Sequence, residues 1–322
     1  MTSRRIASSL LALLMGVICA ATELAHAAKS QPIFSLEDAR GDDHGDGDMA
    51  YPLRDDFEVG ELDLLELTAA RVSGGTEFTA VFARSIRPTA RRTIDIGGTS
   101  LDSIARYGFY TMNVEIYIDT DRQPDSGSVT LLPGRKAQID PAFAWEKAVC
   151  LVPRPSDARS SLKRLLAKDN SKRAAGTARS TAERKAMIRE WVASDLEERF
   201  FFPTRVRISG PKMTFFVPDS FLGGAAKPEW AYTVIVTAAD VEQRFDVMSA
   251  LGAGRDPEPS LMVLPIRPGR SRESLGGARE DDPLQSPIVD MLVPTNSSQE
   301  TILGKDRPDG TVPVILPAVI PH

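Results

Sequence analysis

Cysteine and histidine are the scarcest reactive residues in this sequence: its 322 positions hold two Cys and three His. Cys19 and His26 fall in an amino-terminal leader, which leaves Cys150, His44 and His322 for the body of the chain. One thiol cannot build an internal disulfide framework. Cys150 lies between Ala148-Val149 and Leu151-Val152, where a cysteine packs as a small hydrophobe, so burial is expected. The same scarcity thins out the enzymes. A Ser-His-Asp or Cys-His arrangement would need His44, in an acidic glycine-rich loop, or His322, the last residue. A G-x-S-x-G elbow, an H-E-x-x-H zinc motif, a P-loop and a dinucleotide glycine fingerprint are all missing. A hydrolase using two carboxylates stays open, because such a pair leaves no spacing signature. The net charge of −5 makes no general case for nucleic acid. Beyond the leader no apolar run reaches the ~20 residues of a membrane span.

What is present begins with that leader. Arg4 and Arg5 precede an uncharged apolar run from Ile6 to Ala21, and Ala25-His26-Ala27 supplies small residues around a cleavage point. This is the three-part layout of a secretory signal peptide over 1–27, with the mature chain starting near Ala28. Ile18 before Cys19 argues against a lipoprotein signal, which wants a small residue there. An exported chain, periplasmic or at the cell surface, is expected.

Downstream the pattern is mostly β. Phe78, Ala80 and Phe82 alternate with polar or small neighbours, and Ser73-Gly74-Gly75 is turn chemistry, which predicts a hairpin within 57–84. Met112 to Asp119 is the clearest strand: Val114, Ile116 and Ile118 share one face, while Asn113, Glu115, Tyr117 and Asp119 share the other, which is expected to be wet. Trp145 to Val152 reads as a further strand. Val206 and Ile208, the turn Ser209-Gly210-Pro211-Lys212, and Met213, Phe215 and Val217 read as a second hairpin. Trp230, Tyr232, Val234 and Val236 line one face of another strand. Residues 157–199 interrupt this pattern. Ser180 and Glu183 form a capping box before Ile188, Trp191, Val192 and Leu196, predicting a helix over 181–198. The basic stretch before it, with Arg159, Lys163, Arg164, Lys168, Lys172 and Arg173, reads as a solvated insert or as a docking surface for an acidic partner. Residues 252–287 turn to Gly, Pro, Arg and Ser and are expected to form a flexible loop, broken by the apolar island Leu261–Leu264. A Pro-rich tail occupies 304–322. Many short strands without βαβ alternation predict a mainly β chain, an antiparallel β-sandwich with a helical insert, over 28–303.

Two groups of residues could bind something. Asp42, Asp43, Asp46 and Asp48 are spaced by glycines, and Asp119, Asp121 and Asp125 follow the clearest strand. Loops of this kind can aim several carboxylates at a hard, oxygen-seeking ion such as Ca²⁺, although Asp and Gly are also ordinary turn residues. The aromatic candidates for stacking on a sugar ring are Tyr51, Tyr110, Tyr117 and Trp145. Tyr117 is the better placed on the alternation, and Trp230 reads as core.

Five blocks in order resemble a known family, the carboxy-terminal domain of glucodextranase. They are Phe34-Ser35-Leu36-Glu37-Asp38 with Gly41-Asp42-Asp43, Tyr51-Pro52, Phe57, Gly60 and Asp63-Leu64; Tyr117-Ile118-Asp119-Thr120-Asp121; Leu132-Pro133-Gly134-Arg135 with Trp145-Glu146-Lys147-Ala148; Val217-Pro218-Asp219-Ser220-Phe221-Leu222-Gly223 with Trp230; and Ile288-Val289-Asp290-Met291-Leu292 with Gln299-Glu300. The resemblance spans about 34–303. It implies a β-sandwich akin to carbohydrate-binding modules and to extracellular DOMON-type domains, a non-catalytic binding role, and a likeness to surface-layer anchoring domains. Asp42, Asp43, Tyr51 and Pro52 are the family's most recognisable positions here. The insert at 157–199 departs from the family pattern, and the Trp- and Gly-rich segment of the family appears only as Gly252-Ala253-Gly254-Arg255.

The resulting expectation is an exported, non-catalytic module for carbohydrate or a cell-envelope polymer, stabilised by Ca²⁺. The alternatives are an envelope protein that docks another protein through the basic insert, and a haem-binding DOMON-type domain with axial ligands such as Met112 or His44.

Overall fold

A computed structural model describes residues 30–89, 101–177, 180–241, 261–304 and 312–321. The leader, the segment Gly252–Arg255 and the end of the chain at His322 lie outside them.

Two five-stranded sheets carry the architecture. The first, sheet 1, contains β1 (Gln31–Glu37), β2 (Leu64–Val72), β3 (Gly75–Phe82), β8 (Val206–Ser209) and β9 (Lys212–Pro218), in the order β1-β2-β3-β9-β8. The second, sheet 2, contains β4 (Met112–Asp119), β6 (Lys147–Leu151), β7 (Phe200–Phe201), β10 (Ala231–Ala238) and β11 (Ile288–Met291), in the order β11-β10-β4-β6-β7. All pairings within the two sheets are antiparallel except that of β6 with β7. Both predicted hairpins form, through Ser73-Gly74 and Gly210-Pro211. Gly74 and Gly210 take positive φ, +77° and +59°, a conformation that costs a residue with a Cβ far more.

The sheets face each other across one apolar core. Leu67, Phe78, Ala80 and Phe215 come from sheet 1, and Val114, Ile116, Tyr232 and Val234 from sheet 2. Trp230 joins this core. The fold is a mainly β sandwich, as the alternation required.

Sheet 2 is buried on its outer side as well, and here the sequence misled. The Asn113–Glu115–Tyr117 face of β4, expected to be wet, is wholly buried. Most of its polar groups find partners inside the protein, the Asn113 amide oxygen excepted. Glu115 accepts from Nε of Arg135 at 2.8 Å and from the Tyr117 hydroxyl at 2.5 Å. Asn113 donates to Thr237 Oγ1 and to the carbonyl of Met262. Period-two alternation therefore marked a sheet face that is internally hydrogen-bonded rather than solvated.

The helical insert forms one part of the cover on this side of sheet 2. Helix α2 (Pro155–Ala175) and helix α3 (Thr181–Arg199) form a pair that packs Ala158, Leu162, Val192 and Leu196 into a second apolar core with Cys150, Ile235 and Met291. (A short helix α1, Leu101–Ile104, precedes β4.) The capping box that starts α3 is complete: Ser180 Oγ accepts from Glu183 N, and the Glu183 carboxylate accepts from Ser180 N at 2.9 Å. The basic stretch is thus helical, and Lys163, Arg164, Lys168, Lys172 and Arg173 stay exposed. The solvated-insert reading describes those side chains but not the element, whose other face is core. Trp191 lies half-buried beneath the guanidinium of Arg173, 4.5 Å from the ring centroid.

Residues 261–264 are buried, with Leu264 N bonded to the Ala238 carbonyl at 2.9 Å. At the carboxy end β12 (Val314–Leu316) pairs in parallel with β5 (Ala137–Ile139), and Val319 bridges to Tyr232. Among the described residues no helix is long and apolar enough to cross a membrane.

Candidate functional site

The acidic loop after β1 folds back against the ends of β2 and β11. Gly45 makes this close approach possible: its φ is +61°, and a Cβ there would meet the Ile288 carbonyl at 2.9 Å. Gln299, on helix α4 (Gln299–Leu303), clamps the loop in place. Its amide donates to the carbonyls of Asp42, Gly45 and Val289, and its oxygen accepts from Met291 N at 2.7 Å.

This arrangement gathers carboxylates that are far apart in sequence. Ligand-capable oxygens of Asp42, Asp63 and Asp290 lie within 4.8 Å of one another. Asp63 and Asp290 are almost fully buried. Asp290 accepts from Leu64 N and Met291 N, and one oxygen of Asp63 accepts from Gly41 N at 2.8 Å. The other Asp63 oxygen is buried without a partner, as is one oxygen each of Asp42 and Asp43. Asp38, at the end of β1, is half-buried, and neither of its oxygens has a hydrogen bond of normal geometry. Burial, reinforced by Asp42 and Asp63, pushes the Asp38 carboxyl up to about 8. Burial, reinforced by Asp43 and Asp42, pushes Asp63 up to about 6. Asp290 is driven well above the usual carboxylate range by burial and then by Asp38 and Asp42, and Asp42 is raised by burial. Desolvation and like charge both oppose ionisation of this group.

Of the four loop aspartates singled out in the sequence, only Asp42 joins this triad. Asp43 lies beside it and accepts from the Tyr51 hydroxyl and from Gly60 N. Asp46 instead pairs with Arg279 at 2.9 Å and accepts from Gln285, while Asp48 is exposed. Sequence spacing missed Asp38, Asp63 and Asp290. Their only local signal is position, each at the end or start of a strand or within a short apolar one.

A second group brings Asp119 and Asp121 together with Glu146 rather than with Asp125. Its carboxylates are already satisfied. Arg122 N and the Arg122 guanidinium serve Asp119, Gln123 N serves Asp121, and Thr120 N and Oγ1 serve Glu146.

The four aromatic candidates are all core. Tyr51 abuts Phe57, and Tyr110 sits in a small cluster with Leu101, Ala105 and Val241. Tyr117 meets Trp145 edge-on at 5.3 Å, and the indole N–H donates to the Thr130 carbonyl. None offers the open ring face that stacking on a sugar requires. The haem candidates are likewise committed: Met112 is buried between the sheets, and His44 lies 3.3 Å from Glu300.

The outward face of sheet 1 is different. Among the described residues its side chains are exposed or half-buried. Ser35, Thr68, Thr79, Thr214 and Arg207 are successive cross-strand partners, forming a polar row over all five strands. In the next row Ala70, Glu77 and Phe216 are partners, and the Arg205 guanidinium lies 4.1 Å above the Phe216 ring. Phe216 was missed, although its signal was present: it falls in the outward phase of a strand whose Met213, Phe215 and Val217 point inward.

The family described as the C-terminal binding module, SLH-like, of glucodextranase matches residues 33–317. The chain belongs to this family. The matched span of this glucodextranase C-terminal module takes in both sheets and reaches β12. No curated protein matches the sequence.

Proposed function

We propose that this glucodextranase C-terminal-like module is exported and binds a polysaccharide or another cell-envelope glycan without catalysing its breakdown. The observation that carries this reading is the family match, over 33–317, to a binding module similar to surface-layer domains. The leader at 1–27 supports export, and the likeness to surface-layer modules supports a place at the cell surface. In this reading a calcium ion stabilises the fold and leaves the sugar to the open face of sheet 1. Phe216 supplies a flat apolar surface there, Arg205 stiffens it, and the Ser/Thr row supplies hydroxyls that can exchange hydrogen bonds with a sugar.

Affinity gel electrophoresis tests this directly. The purified chain would be run in gels containing soluble α-glucans, β-glucans or extracted envelope polymer. Retardation by one polymer, weakened up to about 10-fold in Phe216→Ala, is the expected result, since one aromatic contact of this kind contributes about 0.5–1.5 kcal/mol. Unchanged mobility in every gel overturns the glycan reading and would turn attention to a protein partner on the exposed basic side of α2.

A further inference from the structure

We infer that Asp38, Asp42, Asp63 and Asp290 form a single calcium site that ties the two sheets of the sandwich together at one edge. The inference rests on the calcium dependence in the reading above and not on its glycan.

The argument starts from charge. Three of these carboxylates present oxygens within 4.8 Å of one another, and Asp38 adds a fourth beside them. Among the described residues none of the four forms a salt bridge. Elsewhere the fold pairs its buried acids: Glu115 with Arg135, and Asp46 with Arg279. Here, among the described residues, Arg40 and His44 act on the cluster only through space, and neither forms an ion pair with any of the four.

The second observation is the unpartnered oxygen of Asp63. This side chain is almost fully buried, and one oxygen is used by Gly41 N while the other meets no donor. A buried acceptor left empty is costly, and a bound water or an ion supplies the missing partner. The Asp119–Asp121–Glu146 group is the internal contrast, since it is equally acidic but saturated by N–H and O–H donors.

The donor set selects the ion. It is all oxygen, with no thiol or imidazole, which suits a hard divalent cation. Several carboxylates converging on one point suit calcium, which takes six to eight oxygen ligands at about 2.3–2.6 Å in a flexible geometry. Magnesium keeps most of its water and tolerates few protein carboxylates. Topology gives the ion its role. Asp38 ends β1 and Asp63 precedes β2, both of sheet 1, whereas Asp290 belongs to β11 of sheet 2. An ion held by all of them bridges the sheets beside the Leu64 N to Asp290 hydrogen bond.

The test uses the purified, chelator-stripped chain and calcium or magnesium chloride alone, read by titration calorimetry and thermal unfolding. One calcium per chain, at least ~10-fold preferred over magnesium, with a rise in Tm of several degrees, is expected. Asp42→Asn, at a half-buried side chain with one oxygen lacking a donor, should fold and lose at least ~10-fold in calcium affinity, while Asp121→Asn should not change it. Terbium reads the same site without any variant, through emission excited by the nearby tyrosine Tyr51 and competed away by calcium. No heat and no Tm shift with calcium, terbium emission that calcium does not displace, or a loss in Asp121→Asn but not in Asp42→Asn would each overturn the site. Glycan retardation in gels is read separately, so a failure of either inference is distinguishable from a failure of the other.

Discussion

Arg135 and Glu115 set up a sharp test of how the outer face of sheet 2 is held. Both side chains are essentially without solvent exposure, at 0% and 1%. Arg135 also donates to the carbonyls of Pro133 and Leu261, and Glu115 also accepts the Tyr117 hydroxyl. Glu115→Leu would strand a guanidinium in a dry site that water cannot enter. Breaking a buried pair from one side costs about 3–5 kcal/mol. For a domain of this size that corresponds to a fall in Tm of roughly 6–15 °C. Replacing both residues, Glu115→Leu with Arg135→Met, removes both charges, and exchanging a whole buried pair for apolar residues of similar volume is often close to neutral. The double variant is therefore expected to be more stable than Glu115→Leu alone, with a coupling energy of about 2–4 kcal/mol in a double-mutant cycle. Urea unfolding followed by circular dichroism, with all proteins in calcium, measures it. Strictly additive losses would refute the argument that the pair, rather than packing, governs this face.

Other outcomes follow from the same structure. In chelator, Asp63→Asn should gain stability relative to the natural chain as pH rises from about 4 to about 7. The folded carboxyl at about 6 lies above its ordinary value, so its favourable contribution belongs to the protonated form and is lost as pH climbs through that value. A gap independent of pH in thermal scans would contradict this. Leu162→Ala should cost about 2–4 kcal/mol, because the side chain is part of the core under α2; a loss below ~1 kcal/mol on denaturant unfolding would mean the insert is only loosely attached. The Cys150 thiol, buried and pushed up by burial first and Glu115 second, should resist alkylation until the chain unfolds; labelling of the native protein within minutes, seen by mass spectrometry, would say otherwise.

Much of the fold was legible in the residues themselves. Alternation located β3, β4, β9 and β10, glycine turns located both hairpins, and Ser180 with Glu183 located the start of α3. Cys150 was placed correctly in an apolar strand. These are local properties, set by side-chain period and by backbone conformations that few residues accept. What the alternation of β4 could not express was that its polar face has partners. Glu115 and Arg135 are twenty positions apart, and only the path of the chain over sheet 2 makes them neighbours. Tyr117 and Trp145 went into the core for the same reason. The acid cluster shows the limit most clearly. The glycine-spaced aspartates were visible, but Asp42 gains its companions Asp63 and Asp290 from two different sheets. Composition and period determined that this chain would be a sandwich rich in loop carboxylates. Which carboxylates meet was decided by tertiary structure alone, because charge and coordination depend on distances through space, and a sequence records distances only along the chain.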